Sequence, residues 1–132
     1  AVLSTILAGR ELGMTAMASL RGFHLIDGKP TLAADLIRAL VLRSGQSEYF
    51  RCTERTADHA TFVTKRKGDP EISLTFTLQE GRTAWPKDEK SFLLSGWGKN
   101  PADMCVARAS AKLARLVYPD IVHGFYSPEE FD

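Results

Sequence analysis

At 132 residues the chain has the length of one domain, and a hydrophobic fraction of 44% with a charged fraction of 25% excludes a disordered or low-complexity protein. The net charge of +1 restricts any nucleic-acid footprint to a local patch. No apolar run approaches a membrane span and no signal peptide is visible; Cys52 and Cys105, at no metal-ligand spacing, read as reduced, buried thiols of a cytosolic protein.

In chain order, residues 2–12 predict a helix ended by Gly13. Phe23–Ile26 reads as a short strand, and Asp27-Gly28-Lys29-Pro30 behind it has turn chemistry. Leu32–Arg43 predicts a second helix, with Leu32, Leu36, Ala39, Leu40 and Arg43 at three- and four-residue spacings and Ser44-Gly45 as its stop. Three strands follow, Ser47–Thr53, Ala60–Arg66 and Ile72–Thr77, joined by short polar connections that imply an antiparallel meander. In the last of them Ile72, Leu74 and Phe76 alternate with Ser73, Thr75 and Thr77, which gives one buried face. Residues 81–99 mix Gly, Pro and charge, and predict a long irregular connection. The fold class that results is α+β, a small antiparallel sheet of three to four strands packed with helices, the meander being followed by a long helix.

That last helix opens with Asn100 as N-cap, Pro101 at its first position and Asp103 in its first turn, and Pro119 stops it after Tyr118. At about 100° per residue, Arg108, Lys112 and Arg115 share an arc roughly 60° wide. Val106, Ala109, Leu113, Leu116 and Val117 form an apolar arc; Ala107, Ser110, Ala111 and Ala114 form a face of small side chains suited to close packing. The cationic stripe rises about 10 Å, enough to meet two or so phosphates. Spacing alone favours a solvated stripe that complements the helix dipole, and the stripe by itself does not decide between the two. Lys65-Arg66-Lys67 at the end of a strand, and Lys99 beside Trp97, add cations next to an aromatic, the ingredients of single-strand binding.

The run Trp97-x-Lys99-Asn100-Pro101-x-Asp103-Met104, continuing through Arg108 and Arg115 to Gly124-Phe125-Tyr126 and the acidic pair Glu129-Glu130, resembles the RecT/Bet family of phage-type single-strand annealing recombinases. Upstream, LGMTAMASLRGFHLIDGKPTLAADLIRALVLRSG is similar to the family's helix, strand, turn and second helix, and FVTKRKGDPEISLTFT to its central hairpin. The resemblance spans nearly the whole chain and implies ATP-independent binding of single-stranded DNA and annealing of complementary strands, with no cofactor, no metal and no catalytic residue. It further implies a homo-oligomer (ring or helical filament) that also carries the annealed duplex intermediate, a partner exonuclease, and a cytoplasmic location in a bacterial host. By motif position Arg108, Lys112 and Arg115 would face the DNA, joined by Lys99, Trp97, Lys65, Arg66 and Lys67. Ala102-Asp103 departs from members that are basic just after the motif proline. Residues 1–132 then read as one annealing core domain. The capping box Ser127-Pro128-Glu129-Glu130 predicts a helix that continues past Asp132, so the chain reads as part of something longer.

Two alternatives are weaker. A metal-dependent nuclease would use Asp88-Glu89-Lys90 with Pro119-Asp120, but the pair stands in the reverse of the required order. A protein-interaction module would use the basic patches on an acidic partner. His24, His59 and His123 stand too far apart in sequence to suggest a ligand set, and Asp27-Gly28-Lys29-Pro30-Thr31 lacks the remaining glycine of a phosphate-binding loop.

Overall fold

A computed structural model of the chain describes residues 23–26 and 29–122, together with helical positions at Leu3, Leu7 and Arg10. Those three positions fall in the predicted first helix; the rest of that helix, and the capping box at 127–130, lie outside the described residues.

The strand at Phe23–Ile26 (β1) pairs antiparallel with Lys29–Leu32 (β2), in the register Phe23↔Leu32 to Ile26↔Lys29. These two form a ribbon of their own, separate from the three-stranded sheet. The sequence pattern put Lys29 and Pro30 in a turn and Leu32 in the helix. A proline is admissible in a two-stranded ribbon, where each strand is an edge and a missing N–H can face solvent.

Helix α1 spans Ala34–Arg43, starting two residues later than the apolar spacing suggested. Its buried side is Ala34, Ile37, Leu40 and Val41, whereas Ala39 and Arg43 are exposed. The i, i+4 pair Ile37 and Val41 packs toward the core, which turns the helix away from the arc anticipated. Ser44 closes it, its N–H donating to the carbonyls of Leu40 and Val41 and its hydroxyl to Val41 at 2.6 Å. Gly45 then takes φ = 77°, a left-handed conformation that favours glycine.

The meander is as the alternation indicates: β3 (Ser47–Arg55), β4 (His59–Arg66) and β5 (Ile72–Thr77), antiparallel, in the order β3-β4-β5. The β3–β4 turn closes on Thr56, whose Oγ1 accepts from the N–H groups of Asp58 and His59, both at 3.1 Å. Phe50, Ala60, Phe62, Thr64 and Phe76 face inward and are buried. The outer face is tied by polar pairs across strands: Thr61 with Thr75 at 2.6 Å, His59 with Glu54 at 2.7 Å, Lys65 with Glu48, and Tyr49 with Glu71. Cys105 is buried as anticipated, but Cys52 is exposed, on the far half of edge strand β3.

The segment anticipated as an irregular connection is three short helices: α2 (Leu78–Ala84), α3 (Glu89–Leu94) and α4 (Gly96–Lys99). Each starts on a side-chain cap. Thr77 and Glu80 form a capping box on α2, Asp88 accepts from Ser91 N–H at 2.9 Å, and Ser95 accepts from Trp97 N–H at 3.2 Å. Hydrogen bonding to Ser91 also holds the Asp88 carboxyl below the usual carboxylate range. These helices deliver three rings to the core. Trp97 stacks on Phe92 (6.0 Å between centroids, 12°) and on Phe76 (5.9 Å, 30°), and Trp85 meets Phe92 edge-on. Gly81 is required beneath them, because a Cβ there would lie 2.6 Å from the Trp97 ring.

Helix α5 (Pro101–Val117) crosses the inner face of the sheet and packs on α1. Pro101 occupies its first turn, but Asn100 makes no side-chain cap, with φ = −139° and ψ = 63°. Asp103 in the first turn pairs with Arg55 of β3 instead. Ser110, Ala111 and Ala114 are buried, so the small-residue face does meet its neighbours closely. The apolar arc is displaced from its anticipated position: Leu116 is 63% exposed, and Arg108 is buried in its stead. After Tyr118, α6 (Pro119–Val122) caps the end. Tyr118 is fully buried, and its hydroxyl bonds Thr64 Oγ1 at 2.6 Å. Among the described residues no helix is long and apolar enough to cross a membrane.

Candidate nucleic-acid interface

Where α5 runs beside β5 and α2, two clefts of about 440 and 340 Å³ adjoin and share Phe76, Glu80 and Lys112. Together they form a groove open to solvent. Leu74, Thr75, Arg115 and Leu116 complete one half; Gln79, Thr83, Ala84 and Arg108 complete the other. Three cations and one carboxylate therefore line it, over an apolar strip made by Leu74, Phe76 and Leu116.

The helix repeat explains the alignment. Arg108 and Lys112 are four residues apart and Lys112 and Arg115 three, so all three project on one side. Phe76 is the ring they gather around. The Arg108 guanidinium lies 5.2 Å from its centroid and the Lys112 Nζ 5.1 Å, while Arg108 also lies 6.0 Å from the Trp97 centroid. Arg108 is only 9% exposed, so its charge is delivered from within the wall rather than on a free arm. Lys112 is exposed and Arg115 half-buried.

The other residues marked in the sequence lie elsewhere. Trp97 is 2% exposed and stacked in the core, which removes it as a platform for bases. Lys99 is exposed at the end of α4 and lines neither cleft. Lys65, Arg66 and Lys67 do not act as one patch. Lys65 is on the outer face of the sheet, paired with Glu48. Arg66 points to the inner side, donating to both carboxylate oxygens of Asp120 at 2.8 Å and to the Val117 carbonyl at 2.8 Å. The Asp120 bonds hold its guanidinium more firmly protonated than usual. Lys67 alone of the three is exposed in the turn.

Phe76, Leu74, Leu116 and Glu80 are groove residues the sequence reading did not single out. Alternation marked Phe76 as core, which it is, but not that cations would cover its face. The Thr77-x-x-Glu80 capping pattern was the available signal for Glu80.

The residues of the nuclease alternative are structurally engaged. Asp88 caps α3, Glu89 pairs with Arg82 at 2.9 Å, and Asp120 holds Arg66. Among the described residues no three His, Cys, Asp or Glu side chains are grouped so as to hold a metal ion. The buried Cys105 thiol is pushed up to about 11, by desolvation first and then by the charges of Asp58 and Glu80, so it stays protonated at neutral pH. Comparison with protein-family models and with curated proteins returns no match for this chain.

Proposed function

We propose that the groove between β5, α2 and α5 binds single-stranded DNA, and that the protein anneals complementary strands without nucleotide hydrolysis. The observation that carries this reading is the convergence of Arg108, Lys112 and Arg115 along a groove with an apolar strip at its base. Cations neutralise phosphates, and the release of condensed counterions supplies affinity that does not depend on sequence. Leu74 and Leu116 offer apolar surface to bases, whose faces stack without regard to sequence. Annealing requires one strand held with its charge screened and its bases presented to a second; no bond is made or broken, so no catalytic group is called for.

The motif resemblance supports the same reading and adds two elements. One protomer offers cations along about 10 Å of helix, so a useful length of strand requires repetition of the groove in a homo-oligomer, ring or filament. An exonuclease partner would expose the strand.

The test is annealing of two complementary labelled oligonucleotides across a salt series, with no nucleotide present. Acceleration that falls as salt rises, with strands left intact, is the expected result. Failure of the folded protein to bind single strands in a salt-dependent manner would overturn the reading.

A further inference from the structure

We infer that Glu80 is an electrostatic brake on the groove: a negative charge fixed opposite the cationic stripe, which lowers affinity for a polyanion and speeds its release. The inference rests on the groove being the nucleic-acid site. Glu80 lines both halves, so a strand running along the groove passes it wherever it sits.

Its carboxylate is not free to swing away. It accepts from the Thr77 N–H and from the Thr77 hydroxyl, both at 3.3 Å, while the Glu80 N–H donates to Thr77 Oγ1 at 3.0 Å. An untethered glutamate would turn into solvent when an anion arrived. This one is held at the third position of α2 by the reciprocal bonds of a capping box. Its charge also reaches inward, contributing to the raised Cys105 thiol. A purely affinity-driven groove would have no carboxylate facing its cations. An annealing protein has to let go of its product, and one fixed charge shortens the residence of every phosphate that passes it.

Glu80→Gln separates charge from structure, because the glutamine amide oxygen accepts the same capping bonds. With oligothymidine, which cannot pair with itself, E80Q is expected to bind about three- to tenfold more tightly at low salt through slower dissociation, the gap closing as salt rises. Glu80→Lys, which reverses the charge, is expected to go further in the same direction. A graded order, wild type weakest and E80K tightest, is the signature of charge rather than of capping. If Lys112→Ala weakens binding while folded E80Q binds no more tightly than wild type, the brake is wrong and the groove assignment survives. If the wild-type protein does not bind oligothymidine at all, both fall together.

Discussion

Two basic triplets of equal charge are treated differently by this fold. Lys65, Arg66 and Lys67 are consecutive, and a strand sends consecutive side chains to opposite faces. Lys65 therefore closes an outer-face pair with Glu48 and Arg66 an inner tie to Asp120 and Val117, leaving Lys67 by itself in the turn. Arg108, Lys112 and Arg115 are spread over eight residues, yet a helix returns them to one side, where they share a groove and the ring of Phe76. Density of charge in the sequence is thus a poor guide to density of charge in space. The period of the element on which it sits decides the matter, together with whether carboxylates are within reach.

The comparison can be broken most severely by removing the wall behind the helical triplet. Trp97→Ala deletes the ring stacked between Phe76 and Phe92 and one of the two faces on which Arg108 rests, and is expected to cost about 3–5 kcal/mol in denaturant unfolding. Single-strand binding should be lost with it, whereas Lys67→Ala should leave stability unchanged. A smaller effect probes the core of α5 by pH. An unfolded cysteine ionises near pH 9, but Cys105 in the folded chain at about 11. Between those values the unfolded state holds fewer protons than the folded state, so stability falls as pH rises, by about 2–3 kcal/mol when pH 11 is reached. Unfolding curves of Cys105→Ala, set against wild type across this window, should lack that component.

How far the pattern could be read follows the same logic of periods. The meander was legible because Ile72–Thr77 alternates cleanly and its turns are polar, and α5 because Pro101 and Pro119 bracket a helical repeat. The segment 78–99 was not, since helices of 7, 6 and 4 residues are too short to display a period. Its caps at Thr77, Asp88 and Ser95 were the only local signal, and Gly81 and Pro86 argued against it. The facing of α5 was misjudged for another reason. Its alanines fit either side, so which residues go inward is set by its neighbours: β5 and α4 offer Phe76 and Trp97 to Arg108, and Leu116 is left outside. No spacing rule could show that an arginine would be the buried residue and a leucine the exposed one. The cations of the groove were legible as a stripe; the ring beneath them and the carboxylate facing them depend on tertiary packing.

The strand triplet can be tested at its inner tie. Asp120→Asn removes the charge partner of Arg66, whose side chain is 20% exposed against 59% for Asp120. The expected cost lies between the roughly 1 kcal/mol of an exposed pair and the 3 kcal/mol of a buried one, read as a shift in denaturant midpoint. The salt slope for a single strand should stay at the wild-type value, because Arg66 lies outside the groove, and affinity should rise only by the long-range effect of one lost carboxylate. A loss of affinity comparable to that of a groove variant would show that the strand triplet belongs to the binding surface after all.

The finest contrast sets one lysine from each triplet against the other. Lys112→Ala and Lys65→Ala remove the same charge from the same molecule, so long-range attraction for a polyanion falls equally in both. Only Lys112 lines the groove. Its removal should therefore add the loss of a direct phosphate contact, with the salt slope for a single strand reduced by about 0.7 and affinity at low salt down several-fold. Lys65→Ala should leave the slope unchanged and, having only an exposed pair with Glu48 to lose, should alter stability by less than about 1 kcal/mol. The slope is the decisive quantity. Affinity alone responds to net charge wherever it sits, whereas the slope counts contacts. Equal slopes for the two variants would mean that the helical stripe touches no more phosphate than the sheet does, and that its alignment over Phe76 serves the core rather than a ligand.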